Sequence, residues 1–362
     1  MIRHNIIYLV ICIILILLWH YSCASAARQN NTDKAEAELS KFFANPIPAL
    51  QKLPFSFRII ALSNLAEYYA SRKRNQNLPK EIISQRIDKI ISLAHSRLVN
   101  PYKTADLSII QLGNNGLYLS HLNIILGTYE TVNRNAKYKS LNKHISTHLA
   151  QLSHNQWAHA QSFAHSKQRW PADQSALLFS LWLYDQNFNS QIAVQPIKHW
   201  LLYMSESAVS DFNNLPVSEI TNTTKTSQIP RGCALSFSIR YMAAFAHKQA
   251  IILWKQYIQT FKISFLGFSG LREWPPNTSA RSDIDSGPII MEVGAAATGF
   301  GLGAARAVDD EKMYKELTNS ITLLYSLANQ NLRQVGDSIL ARSIFLQGQY
   351  FTKWYDNDVF IK

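Results

Sequence analysis

"WPADQSALLFSLWLYDQ", residues 170–186, opens on a tryptophan–proline break and then runs small or apolar on nearly every face of a helix. A surface helix keeps a polar back, so a helix without one is buried on both sides. Five other segments share this character, each after a short polar, glycine or proline break. They are "PFSFRIIALSNLAEYYA" from Pro54, "GNNGLYLSHLNIILGTYETV" from Gly113, "RGCALSFSIRYMAAFAHKQ" from Arg231, "DSGPIIMEVGAAATGFGLGAARAV" from Asp285 and "GDSILARSIFLQGQYFTKWY" from Gly336. Anchored at Phe57, Asn115, Asp173, Gly232, Asp285 and Asp337, the six lie 58, 58, 59, 53 and 52 residues apart. A fixed period of this length marks a stacked array of supersecondary units.

Between most anchors lies a second, more charged helical pattern. In "IISQRIDKIISLAHSRL" the residues Ile82, Ile83, Ile87, Ile90, Ile91 and Leu93 recur at three and four, which gives one buried stripe. Each unit therefore reads as a hairpin of an inner and an outer helix. The sixth reaches Lys362 without an outer helix, and the helical pattern of residues 33–45 is expected to supply it beside the last unit. The expected fold is all-α, an (α/α)6 toroid of six inner and six outer helices in one domain over residues 33–362. An open solenoid would leave an apolar inner helix uncovered at each end.

Residues 1–26 read as an export signal. Arg3 precedes an apolar run from Ile6 to Trp19, and Ala24-Ser25-Ala26 has the small-x-small form of a cleavage site. The run is shorter than the ~20 residues of a spanning helix, so secretion is expected ahead of an uncleaved membrane anchor. Cys23 as a lipid attachment point lacks the upstream aliphatic residue that site needs. Removal of the segment leaves Cys233 as a single thiol, so stability must come from packing. The net charge of +12 suits anionic polymers or membrane surfaces outside the cytoplasm, or solubility alone. No nucleic-acid-reading motif is present. The G-x-G-x-G around Gly299, Gly301 and Gly303 follows no strand, which argues against a dinucleotide site.

Six hairpins with loop-borne acids resemble the six-hairpin glycosidase-like toroids, which include glycoside hydrolases, polysaccharide lyases and sugar epimerases. The plan is also similar to that of linalool dehydratase-isomerase toroids. "WPADQSALLFSLWLYD" and "RSDIDSGPIIMEVGAAATGFGLGAAR" look most like family-type motifs. The resemblance implies an active site where the loops before the inner helices meet. On that rim it would gather Asn114 and Asn115, Trp170, Asp173, Arg231, Asp337 and the long polar loop "REWPPNTSARSDIDSGP", residues 272–288.

Within that loop Arg281, Asp283 and Asp285 alternate, and an extended backbone would aim all three to one side. A guanidinium there would keep a carboxylate ionised. Glu273, beside Trp274 and two prolines, is a candidate general acid. Asp173, Asp285, Glu273 and Asp283 are the expected catalytic carboxylates. Arg281, Arg272, Trp170, Trp274, Asn115, Tyr118 and His121 are the expected substrate contacts. Against this, Asp173, Asp285 and Asp337 precede inner helices and could serve as caps, and Arg281–Asp283 could be a loop ion pair. His144 and His148 are one turn apart without the carboxylate of a zinc motif, and neighbouring His154, His159 and His165 read as solvated. Ser269 in "GFSG" reads as a turn residue, and no cofactor or metal is called for.

The expected function is an exported carbohydrate-active enzyme, a hydrolase or a lyase or epimerase. Its partner would be an anionic glycan, oligosaccharide or other anionic polymer, with membrane association through the N-terminal segment as a further option. The alternatives are a non-catalytic glycan-binding or scaffold toroid, and a dehydratase or isomerase of a small alcohol that uses Cys233, whose thiol a helix dipole would acidify.

Overall fold

The computed structural model describes residues 35–353 except 75–77, 103, 105, 109, 156–157, 221–228, 279–280, 328–335 and 352. Residues 1–26, read from the sequence as an export signal, therefore lie outside the described residues. The chain forms two compact units, Met1–Ala49 and Leu50–Lys362. In the first, residues 35–44 are helical, within the pattern read over 33–45. Among the described residues no helix is long and apolar enough to cross a membrane.

The second unit contains the hairpins. In chain order they are α1 (Phe55–Arg74) with α2 (Lys80–His95), α3 (Gly116–Asn133) with α4 (Lys139–Asn155), and α5 (Pro171–Phe188) with α6 (Val194–Glu206). Then come α7 (Gly232–Phe245) with α8 (His247–Phe261), α9 (Ala295–Ala307) with α10 (Glu311–Leu327), and α11 (Ile339–Gln349). The odd-numbered helices are the inner ones. α1 packs on α3, α3 on α5, α5 on α7, α7 on α9, α9 on α11, and α11 returns to α1. The ring is closed within this unit.

Local sequence sets the boundaries. Trp170 is extended and Pro171 starts α5, where a missing N–H costs nothing. Arg134 and Asn189 end α3 and α5 in the left-handed conformation at φ 53° and 51°. On the outer helix α8, Ala250, Trp254, Tyr257 and Phe261 form the buried stripe. α3 is buried along almost its whole length, as a helix without a polar back must be.

The inner helix read from Asp285 starts ten residues later, at Ala295. Before it, β3 (Ile289–Ile290) and β4 (Val293–Gly294) pair as a short ribbon, and β1 (Lys262–Phe265) with β2 (Phe268–Leu271) forms a hairpin after α8. Ser269 is accordingly a buried strand residue, not a turn residue, and its hydroxyl donates to Glu316 Oε2 at 2.6 Å.

The axis is filled. Helices α1 and α7 stand opposite each other in the ring, and Arg240 of α7 reaches across to Asn64 Oδ1 (2.9 Å) and Glu67 Oε1 (3.5 Å) of α1. Glu67 also accepts from the Tyr241 hydroxyl and from Gln347 Nε2 of α11, both at 3.2 Å. Glu67 and Arg240 are each 2% exposed. Gly303 of α9 makes room for this cluster, since a Cβ there would lie 2.9 Å from Arg240 Cδ and from Gln347 Oε1. Phe237 packs on Phe300 and Tyr241 on Phe179, so aromatic rings occupy the rest of the centre.

The hairpin is locked to the start of α7. The Gly232 N–H donates to the Glu273 carbonyl at 2.8 Å, and a Cβ on Gly232 would sit 1.9 Å from the Arg272 carbonyl oxygen. Gly232→Ala is therefore expected to cost about 3 kcal/mol or more, the top of the overpacking range, read as a lowered denaturation midpoint. Gly303→Ala meets only side chains and should cost less.

Candidate functional site

Arg231 closes the break before α7 and is the centre of the cluster at that helix end. Its Nε donates to Glu273 Oε1 at 2.8 Å and its Nη2 to Asp283 Oδ1 at 2.9 Å, while Nη1 lies 3.9 Å from Asp285 Oδ2. Its guanidinium carbon stands 4.7 Å above the Trp274 ring, which leaves one face of that indole covered. The Trp274 Nε1–H donates to the Arg281 carbonyl at 3.0 Å. One guanidinium thus holds three carboxylates and a tryptophan from the 272–288 loop.

This corrects the reading of the alternation. Residues 284–286 form a turn, not a strand, and the Asp283 carboxylate accepts the N–H groups of Asp285 (3.0 Å) and Ser286 (2.8 Å). Such a local turn is what a short acidic side chain favours. The cation beside Asp283 and Asp285 is Arg231. The Arg281 guanidinium is exposed and makes no hydrogen bond or ion pair among the described residues, so the loop ion pair with Asp283 does not form. Arg272 is engaged with Glu292 at 2.9 Å.

Glu273 is fully buried. Besides Arg231 it accepts the Cys233 thiol at Oε1 (2.9 Å) and the Cys233 N–H at Oε2 (3.3 Å). Burial pushes its carboxyl above the ordinary range, with Arg231 opposing. The apolar Trp-Pro-Pro neighbours are thus not its main partners. Both oxygens are occupied by Arg231 and Cys233, a geometry that anchors rather than presents a proton. Cys233 is buried, and burial and then the Glu273 charge drive its thiol well up, against the acidification expected from a helix start.

Asp173 differs. It lies in the first turn of α5, partly open to solvent, and its Oδ2 accepts the Ser162 hydroxyl. Burial, partly offset by that hydrogen bond and reinforced by the charge of Asp285, raises its pKa to about 7. It caps nothing: Trp170 is the cap residue and makes no side-chain cap bond. Asp285 is ten residues from α9 and caps nothing either. Its pKa is raised by burial and by Asp283, with Arg231 opposing. For Asp283 burial also opposes ionisation, but the Arg231 and Ser286 hydrogen bonds outweigh it and lower the pKa. Asp337 accepts from the Tyr325 hydroxyl at 2.6 Å, and Ser338 is the cap of α11.

Solved structures share this architecture. A C. acetobutylicum ATCC 824 glycoside hydrolase from family 105 superposes with a TM-score of 0.55 over 87% of this chain and 98% of that chain, at 12% identity. The chain has an (α/α)6 toroid, and at that identity the likeness is one of fold. No family model matches the sequence, and no curated protein matches it.

The other expected contacts are dispersed. Trp170 stands at the rim, edge-on to Phe163 at 5.8 Å, and Asn115 is the residue before α3. Tyr118 turns outward, its hydroxyl donating to the Ala94 carbonyl of α2 at 3.0 Å. His121 faces the axis, 6.0 Å from Phe237 and 6.4 Å from Tyr241 between ring centres. Burial, then Arg240, lowers its pKa to about 3, so the ring is neutral. His148 donates to the Gly113 carbonyl and His159 accepts from Trp200 Nε1 at 3.0 Å, which makes His159 a buried core residue and not a solvated one. Among the described residues no cluster of three His, Cys, Asp or Glu could hold a metal. Ser162, the partner of Asp173, had no signal in a sequence where serine is common.

Proposed function

We propose that the protein is an exported carbohydrate-active enzyme that uses Asp173 as general acid and Asp285 as the second carboxylate. The observation that carries this is the pair of environments: a partly open carboxyl at about 7 that feels the charge of Asp285, and Asp285 itself with a cation at 3.9 Å. Two acidic groups with different environments are what acid–base cleavage or rearrangement of a glycan requires. Arg231, Glu273 and Asp283 form the frame that fixes the loop. The family 105 likeness supports the fold on which this reading rests, and the N-terminal pattern of residues 1–26 supports export. For an anionic glycan the unpaired Arg281 guanidinium is the available clamp, and the basic net charge of +12 favours its approach.

Turnover is to be assayed on a panel of neutral and uronate-containing oligosaccharides between pH 4 and 9. A protonated acid at about 7 predicts activity that falls roughly tenfold per pH unit above that value. Asp285→Asn should remove the fall on the acidic side along with most of the rate. A flat profile through pH 7, or full activity in Asp285→Asn, sinks the assignment.

A further inference from the structure

Apolar side chains are exposed on the acidic turn of the 272–288 loop and on the β3–β4 ribbon that follows it. Ile284, Ile290 and Met291 are 65%, 40% and 90% exposed. Met291 and Glu292 form the tip of the β3–β4 ribbon with φ of 47° and 69°, so both tip residues are left-handed. Asn-Gly is the unstrained choice for such a turn, and a methionine there is both strained and exposed. We propose that the site takes a glycan that carries an apolar chain, alkyl or acyl, and that Ile284, Ile290 and Met291 bind that chain.

Continuity with the acid centre argues for this occupant. Ile284 lies between Asp283 and Asp285. Residue 272 pairs with Val293, and the Glu273 N–H meets the Glu292 carbonyl at 3.4 Å, so the same register carries the Met291 tip toward Trp274. The equally exposed Phe265 and Leu266 lie at the other end of β2, away from the carboxylates. Three side chains cover a chain of a few methylenes, well short of the ~800 Å² per partner of a stable protein interface. The inference rests on the proposed acid–base site and deepens it by naming the substrate class.

The test compares binding of octyl β-D-glucuronide and methyl β-D-glucuronide by titration calorimetry, in the full chain and in an Ile290→Ser/Met291→Ser double variant whose melting temperature is checked. The octyl compound should bind about tenfold tighter or more to the wild type, and the preference should fall to about twofold or less in the double variant. Asp173→Asn should keep the wild-type preference. Equal binding of the two glucuronides, no binding of either, or a preference untouched by the double variant would overturn the inference. So would a double variant that instead loses dimerisation, or loses binding to phosphatidylethanolamine–phosphatidylglycerol vesicles, with the octyl preference intact. Failure of the acid–base reading is separate: it shows as turnover that survives Asp173→Asn.

Discussion

Replacing Asp173 with asparagine is expected to remove turnover and, above pH 7, to make the protein more stable. The folded pKa of about 7 lies above the ordinary 3.8, so the folded state holds this proton more tightly than the unfolded chain. Folding is then favoured at low pH, and the contribution is lost as pH rises through about 7. Asparagine is neutral throughout and can still accept from Ser162. The variant should match the wild type near pH 4 and exceed it at pH 8 by on the order of 2 kcal/mol, after allowance for partial solvent access. Thermal melts at the two pH values read this directly. A helix cap would behave otherwise, with no gain at high pH. The rate should drop by about 10²–10⁴-fold, the usual size of a general acid's contribution.

Glu67→Ala is expected to have the largest effect on stability. It leaves Arg240 buried on the axis with Asn64 as its remaining hydrogen-bond partner across the ring and no counter-charge. Removing one member of a buried ion pair costs about 3–5 kcal/mol, because the other charge stays desolvated. The double variant Glu67→Leu/Arg240→Met removes both charges and should recover most of that loss, by denaturant melts. Because α1 and α7 face each other, the single variant should also loosen the floor below the rim. Arg231 and its carboxylates sit at the start of the same α7, so hydrogen exchange in the 272–288 loop should rise in Glu67→Ala and not in the double variant.

The architecture was legible because inner and outer helices differ in kind. An inner helix such as α5 has no polar back, an outer helix such as α8 has a single stripe, and the alternation repeats at a steady spacing. The ribbon before α9 was not legible: "PIIMEV" is a short apolar run, and periodicity cannot separate a buried strand from a helix over so few residues. For the site, sequence proximity named the loop and its acids but paired them with Arg281. The guanidinium that holds them is Arg231, 42 and 52 residues before Glu273 and Asp283, and such a choice is made by tertiary packing. Glu67, the one carboxylate of α1, and Arg240, the one charge of α7, were hidden among apolar neighbours. Asp173 was named, but its raised pKa comes from burial and from the charge of Asp285, both of which tertiary packing supplies.

The proposed acid–base chemistry turns on the protonation of one carboxyl, and carbon-13 NMR of aspartate-labelled protein measures it, with the Asp173 resonance assigned by its loss in Asp173→Asn. The expected titration midpoint is about 7. A midpoint near 4, the value of a well-hydrated aspartate, would rule out Asp173 as the general acid.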